Sequence, residues 1–224
     1  MRINRWLVEQ GFAPARRKAD EIVVAGRVEL DGRKAQLGDQ VSEASEVKAD
    51  GRIIELQIST TRLIAYHKPV GEVCSHARQG TANTVFTNLP AEFRSYKIIG
   101  RLDKDSEGLV LLTNDGKLAQ SLAHPRAGEF KRYEVTLSRI LTRDELNQLE
   151  SGVAVDDDIW RLGRVRTLEA RRYEIMLQEG KNRQIRRCIQ AVGARVVRLV
   201  RSNIGAYALD GLGVGDWREE SARG

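Results

Sequence analysis

Along the first part of the chain the apolar positions fall at helical spacing. Ile3, Trp6 and Leu7 repeat on one face and stop at Gly11, and Pro14 opens a second segment in which Ala15, Ala19, Ile22 and Val23 share a face that ends at Gly26. Val28 and Leu30 then alternate with polar neighbours up to Asp31-Gly32, a dipeptide suited to a tight hairpin, and an extended stretch runs from Arg33 toward Val41. At Leu63, Ile64 and Tyr66 a new strand pattern begins. Residues 96–99, 109–113, 133–137 and 173–177 read as strands, and residues 117–122 and 142–150 as helices. Beyond Gly180, the positions Ile185, Cys188, Ile189 and Val192 follow i, i+3, i+4, i+7, the stripe of one more helix, ended by Gly193. The fold class expected is α+β: an αα-hairpin with short strands over residues 1–58, then a larger domain over 61–224, joined at Thr60, Thr61 and Arg62 without a long linker.

Charge sharpens this division. The 224 residues carry a net charge of +6 and are 41% hydrophobic, so ordinary cores are available and a polyanionic partner is the first expectation. Residues 1–58 hold ten basic and ten acidic side chains, which leaves the whole excess in the remainder. Its densest part is 181–201, with Lys181, Arg183, Arg186, Arg187, Arg195, Arg198 and Arg201 and no acid, a stretch that reads as a phosphate-binding surface. Cys74 and Cys188 lie far apart without metal-ligand spacing, so both are expected as reduced thiols. His67, His76 and His124 share no ligand spacing either, and each reads as a surface or packing residue. The N-terminus lacks the apolar run of a signal peptide and no stretch approaches the length of a membrane span, which makes the expected location cytoplasmic, with no membrane partner. Walker, dinucleotide-binding and HExxH patterns do not occur.

The candidate chemistry lies between the strands at 96–99 and 109–113, in the polar run from Gly100 to Gly108. Asp103 sits there in a loop mounted on two core strands, where a rigid scaffold can hold a side chain that the loop aims. A charged connection with two glycines is by itself an ordinary turn. GRLDKDSEGL, from Gly100 to Leu109, is however similar to the catalytic motif of the RsuA-type family of ribosomal RNA pseudouridine synthases: GRLD, two variable residues, Ser or Thr, one further residue, then GL. Other features of that family follow in order: KPVG from Lys68 to Gly71, Lys131-Arg132-Tyr133, and GKNRQIRR from Gly180 to Arg187. Residues 1–50, with Arg16-Arg17-Lys18 at the start of the second helix, resemble the S4 RNA-binding module.

The resemblance implies a catalytic domain built on a mixed, mainly antiparallel sheet flanked by helices. It implies that Asp103 is the catalytic carboxylate, that Arg101 helps hold the target nucleotide out of the RNA stack, and that Tyr133 packs on the extruded base. Arg186 would pair with Asp103, Ile185 would line the pocket, and Lys68, Arg183 and Arg187 would contact substrate. In the S4-like part, Arg16, Arg17, Lys18, Arg27, Arg33 and Lys34 would face the RNA backbone, where contacts position a protein without reading sequence. The implied substrate is ribosomal RNA, and the closest likeness is to enzymes acting on the large-subunit 23S RNA in a pre-ribosomal particle. Small-subunit RNA and tRNA remain open.

The implied reaction detaches uracil from its sugar, turns it and rejoins it through carbon. It involves no net redox change or hydrolysis, so no cofactor and no metal are expected, and a monomer suffices. Asp103 would act ionised, as nucleophile or as base, and an arginine in reach would favour the charged form. Two other readings stand beside this one. A non-catalytic RNA-binding assembly factor would use the same two domains only to dock, and against it Asp103, Arg101, Tyr133 and Arg186 occur together. A carboxylate pair of Asp103 and Asp105 for glycoside or metal-assisted hydrolysis rests on two acids in one loop, while Asp156-Asp157-Asp158 reads as a solvated turn.

Overall fold

The computed structural model describes residues 1–42, 44–54, 60–77, 79–123 and 130–221, and the chain forms two compact units, Met1–Thr60 and Thr61–Gly224. His124 lies outside the described residues. In the first unit α1 (Ile3–Glu9) and α2 (Arg16–Val24) pack Ile3, Trp6, Leu7, Ala19 and Val23 against Val28, Leu30, Val47 and Ala49 of a small sheet. That sheet is antiparallel in the order β2-β1-β3-β4, with β1 Val28–Leu30, β2 Arg33–Lys34, β3 Val47–Ala49 and β4 Arg52–Ile53. Asp31 and Gly32 both adopt positive φ, 51° and 79°, the hand that a two-residue hairpin turn requires. The extended stretch expected toward Val41 is shorter than its alternation implied. β2 stops after Lys34, and β3 takes the other edge of β1.

The second unit is built on a nine-stranded sheet. Its strands are β5 (Leu63–Lys68), β6 (Lys97–Ile99), β7 (Glu107–Thr113), β8 (Lys131–Leu137), β11 (Arg164–Glu169), β12 (Arg172–Leu177), β13 (Val196–Ile204), β14 (Tyr207–Ala208) and β15 (Trp217–Glu220), while β9 (Val153–Val155) and β10 (Asp158–Trp160) form a separate hairpin. The main path runs β11-β12-β8-β13-β7-β5-β15, with β14 on β13 and β6 on β7. Every pairing in the nine-stranded sheet is antiparallel except β13 with β7, so the sheet is mixed and mainly antiparallel, within an α+β fold. Period-two alternation divides β5 and β7 between two cores. Ile64, Tyr66, Val110 and Leu112 join one core with Leu149 of α4 (Arg143–Ser151) and Ile185, Cys188 and Ile189 of α5 (Gln184–Ala191). Leu63, Ala65, Leu109 and Leu111 join the other with Ala119 and Leu122 of α3 (Gly116–Ala123). Thr142 caps α4 through a reciprocal box with Glu145.

The parallel step between β7 and β13 brings two backbones close together at Gly108. Gly108, at φ 124°, pairs with Lys68 on β5 and with Arg201 on β13, and a Cβ there would run into the Arg201 backbone. Gly108→Ala is therefore expected to lower the unfolding free energy by about 3 kcal/mol. Gly211→Ala, at φ 72° with open space around it, should cost only the backbone strain, about 1–2 kcal/mol. Urea unfolding of the two variants side by side checks the difference, and equal losses would count against a steric role for Gly108.

Candidate active site

The loop from Gly100 to Ser106 connects β6 to β7, and its backbone groups are held from several sides. Gly100, at φ 69°, turns the chain and its carbonyl accepts from Nη2 of Arg201. The Leu102 amide donates to Sγ of Cys74 at 3.3 Å, and the Lys104 carbonyl accepts from the Gly71 amide at 2.7 Å. Nη2 of Arg186 donates to the Asp105 carbonyl at 2.7 Å, and Nζ of Lys68 donates to the Ser106 carbonyl at 2.7 Å. Inside the loop the Ser106 amide closes a turn on the Asp103 carbonyl at 3.1 Å. Lys68 and Arg201 are both fully buried, and among the described residues neither forms an ion pair: Lys68 also donates to Pro69, and Nε of Arg201 to Leu109 at 2.8 Å. Burial pulls the Lys68 ammonium below its ordinary value, and burial pushes the Cys74 thiol up.

With its backbone so fixed, the loop presents Arg101, Asp103 and Ser106 to a cleft of about 360 Å³. Its apolar wall is Leu102, Tyr133, Leu177, Ile185 and Leu199, and its rim is Lys181, Asn182, Arg183 and Arg186. That size lies at the small end of ligand sites and suits a single nucleobase with its sugar. Tyr133 is buried in β8, sharing its inward face with Val135 and Leu137, and the Arg201 guanidinium stands 6.0 Å from its ring centre. Asp103 is half-buried, and Arg101, exposed at the cleft, has no ion pair among the described residues.

The charges on the rim are arranged differently from the expected Asp103–Arg186 pair. Arg183 grips Asp105 with two bonds of 2.8 Å, and its Nη1 stands 3.7 Å from Oδ2 of Asp103. Nε of Arg186 lies 3.3 Å from Oδ2 of Asp105, buried and without an aligned acceptor. The register of α5 explains this, since it aims Arg186 at the far end of the loop, where the Asp105 carbonyl and Ser106 lie. The Arg183 guanidinium holds the Asp105 carboxyl below the usual range, while burial draws the Arg186 guanidinium down from its ordinary value.

Three further expectations are corrected. Lys68 does not line the cleft: it lies beneath the loop, bound to backbone carbonyls, because its position on β5 puts it on the same inward face as Ile64 and Tyr66. Arg187 is not among the residues lining the cleft: it pairs with Asp156, and its guanidinium stands 4.6 Å from the Trp160 ring centre. The basic run 181–201 is not one cationic surface. Lys181 pairs with Asp158, Arg198 with Glu107, and Arg201 is internal. Alternation with the buried Leu199 was the available signal for Arg201, as it was for Leu199 in the cleft wall. Leu177 also lines the cleft, and the strand pattern at 173–177 carries no signal for that role.

In the first unit Arg16, Arg17, Lys18, Arg27, Arg33 and Lys34 are all exposed. Lys18 pairs with Glu21, Arg27 with Asp50 and Arg33 with Asp39, whereas Arg16, Arg17 and Lys34 have no ion pair among the described residues. Asp156 and Asp158 in the β9–β10 turn serve as partners of Arg187 and Lys181, and no group of residues suited to hold a metal occurs among the described residues. No described helix is long and apolar enough to cross a membrane.

The position of Lys68 has a direct consequence. Lys68→Met leaves two carbonyls without a donor and should lower the unfolding free energy by about 2 kcal/mol or more, with little change in RNA affinity. Denaturation and filter binding check this, and a variant of unchanged stability that binds RNA poorly would restore Lys68 to the substrate surface.

Residues 62–191 match the family described as RNA pseudouridylate synthase, and residues 1–47 match the S4 domain. The chain is 34% identical over 220 residues to the dual-specificity RNA pseudouridine synthase RluF of Escherichia coli K12, an alignment that covers 98% of this chain and 75% of that protein. It is 35% identical over 219 residues to the ribosomal large subunit pseudouridine synthase B of Yersinia pestis, covering 92% of this chain and 68% of that one. A crystal structure of a pseudouridylate synthase superposes with a TM-score of 0.68 at 23% identity, over 99% of this chain and 96% of its own, which shows the shared fold. With the GRLD loop seated between β6 and β7 beside the cleft, and a family match that spans most of the larger unit, the chain belongs to the RNA pseudouridylate synthases and carries an S4 domain before the synthase domain.

Proposed function

We propose that this pseudouridine synthase acts on large-subunit ribosomal RNA in a pre-ribosomal particle in the cytoplasm, as a monomer, with Asp103 as its reacting carboxylate. The observation that carries the catalytic part is the placement of a half-buried Asp103 at the cleft, between an apolar wall that includes Tyr133 and a rim of arginines. The Yersinia relative's name, a ribosomal large subunit pseudouridine synthase, supports the choice of large-subunit RNA. Arg16, Arg17 and Lys34 add exposed phosphate contacts from the S4 domain.

The reaction breaks the N1–C1′ bond of uridine and forms C5–C1′, while the C5 hydrogen leaves as a proton and N1 gains one. No oxidant or co-reactant enters. Asp103 serves either by attacking C1′ as N1 departs or as a base toward the sugar, and it is regenerated in both routes. The uridine reaches it only after leaving its stack, which costs a few kcal/mol, about what stacking on an aromatic ring returns, roughly 1–3 kcal/mol. Tyr133 supplies the ring, the cleft excludes the flanking duplex, and Arg101 at the mouth holds the vacated position.

Pseudouridine mapping of all cellular RNA with and without the gene tests the target: loss at one or a few large-subunit uridines is expected, and loss confined to small-subunit RNA or tRNA would redirect the assignment. An unaltered map would return the chain to the role of a docking factor. Tyr133→Phe should keep most of the single-turnover rate, whereas Tyr133→Ala should lose about 5- to 150-fold, the equivalent of one base stack. A Tyr133→Ala variant with full activity would remove the ring from the account.

A further inference from the structure

The loop that carries Asp103 also borders a second hollow, of about 430 Å³, which shares no lining residue with the cleft. Lys104, the residue after Asp103, forms one side of it. The turn after β5, from Pro69 to Glu72, forms another, and a segment holding Thr81, Asn83 and Asn88 completes it. The proposed reaction uses none of these residues.

The sides of the hollow are tied to one another. The Gly71 amide donates to the Lys104 carbonyl at 2.7 Å, and the Val73 amide donates to the Asn83 carbonyl at 2.9 Å. Nδ2 of Asn88 donates to Oε1 of Glu72 at 3.1 Å, and the Tyr66 hydroxyl donates to Oε2 of the same carboxylate at 2.8 Å. Glu72 is buried and is the one acid among the residues lining the hollow. Both its oxygens are engaged by donors of the protein, so it braces the wall and its repulsion of a phosphate is reduced. A hollow held in this way exists before anything enters it, and filling it costs little ordering of the protein.

The remaining polar groups are not so engaged. The side chains of Thr81, Asn83 and Lys104 are exposed and make no hydrogen bond or ion pair among the described residues. Val70 beside them is 58% exposed, a large apolar side chain left against water. Each of these alone is ordinary hydrated surface. Together they line one preformed hollow whose lysine is the chain neighbour of Asp103, about 3.8 Å away between Cα atoms. A strand that delivers uridine to Asp103 therefore passes Lys104 with the nucleotides next to its target.

The chemistry of the lining selects the occupant. Pro69 and Val70 offer apolar contact to the face of a base. A primary amide presents a donor and an acceptor side by side, the pattern that pairs with a base edge carrying the same two groups, as adenine does with N6 and N7. A lysine ammonium is a point charge suited to phosphate. We propose that this hollow receives a nucleotide flanking the target uridine, with its base against Pro69 and Val70, its edge read by Asn83 and its phosphate held by Lys104. This rests on the reading of Asp103 as the site of reaction.

The test uses the full chain and ribosomal RNA labelled with tritium at uridine C5, prepared from a strain lacking the gene, since each isomerisation releases that hydrogen. Single-turnover rates are measured against enzyme concentration for the wild type, Asn83→Ala and Lys104→Gln. Each variant should raise the half-saturating concentration by about 5- to 20-fold and change the saturating rate far less. Lys104→Gln should also lower the slope of log affinity against log salt by roughly 0.7 to 1, the loss of one phosphate contact, whereas Asn83→Ala should leave that slope in place. Cys74 and Cys188 are both buried, so a photoreactive thiol probe on Asn83→Cys labels the hollow selectively. Its cross-links should map to nucleotides flanking the modified uridine. Half-saturation unchanged in both variants, or cross-links confined to RNA remote from that uridine, overturns the subsite while the wild type stays active. A wild type that releases no tritium overturns the underlying reading and the subsite with it, so the two failures are told apart.

Discussion

Two buried cations that form no ion pair among the described residues determine the geometry of this enzyme's cleft. Lys68 and Arg201 stand on strands either side of Gly108, and both give their donors to backbone carbonyls, so that Ser106 at one end of the loop and Gly100 at the other are tied to the sheet. A buried charge is tolerated only when its donors are satisfied, and carbonyls left without these cations would be equally costly. The mutual requirement fixes the loop more firmly than its exposed, charged composition suggests. The tight approach of β7 to β13 is possible because residue 108 has no side chain, which joins both glycines of GRLDKDSEGL to Arg201: one accepts its hydrogen bond, and the other pairs with its backbone.

On that base the cleft separates two kinds of interaction. Its wall is apolar and aromatic, contributed by β8, β12, β13 and α5, and in the proposed function it takes the base. Its rim is cationic and in that function faces the RNA backbone, whose phosphates dominate affinity. Asp103 lies where the two meet. Its neighbour Asp105 takes both terminal nitrogens of Arg183, whose guanidinium also stands 3.7 Å from Asp103.

The elements with strong periodicity were legible in the sequence, including α1, α2, α5 and the central strands β5, β7, β8 and β12, because one face of each is apolar at a fixed spacing. β11 and β15 carry no apolar alternation because they lie at the sheet's edges, where polar residues are as acceptable as apolar ones. The β9–β10 hairpin escaped because it is only a few residues long. The charge-based expectations fared worst. Lys68, Arg187 and Arg201 share the residue type of RNA-contacting side chains, yet one lies under the loop, one stacks on Trp160 and one is internal. Net charge counts cations without saying which already have an acceptor, and only the packing decides that. The same limit applies to Arg186, whose partner depends on the rotation of α5 relative to the loop.

In the proposed function this fixed loop offers Asp103 to a uridine turned out of its stack. A crystal structure of the Asp103→Asn variant bound to its substrate RNA tests it most directly. The target base is expected against the Tyr133 ring, with C1′ of its sugar about 3–3.5 Å from the residue 103 side chain. A uridine that remains stacked in the RNA, or one whose C1′ lies nearer to Asp105 than to residue 103, would contradict it.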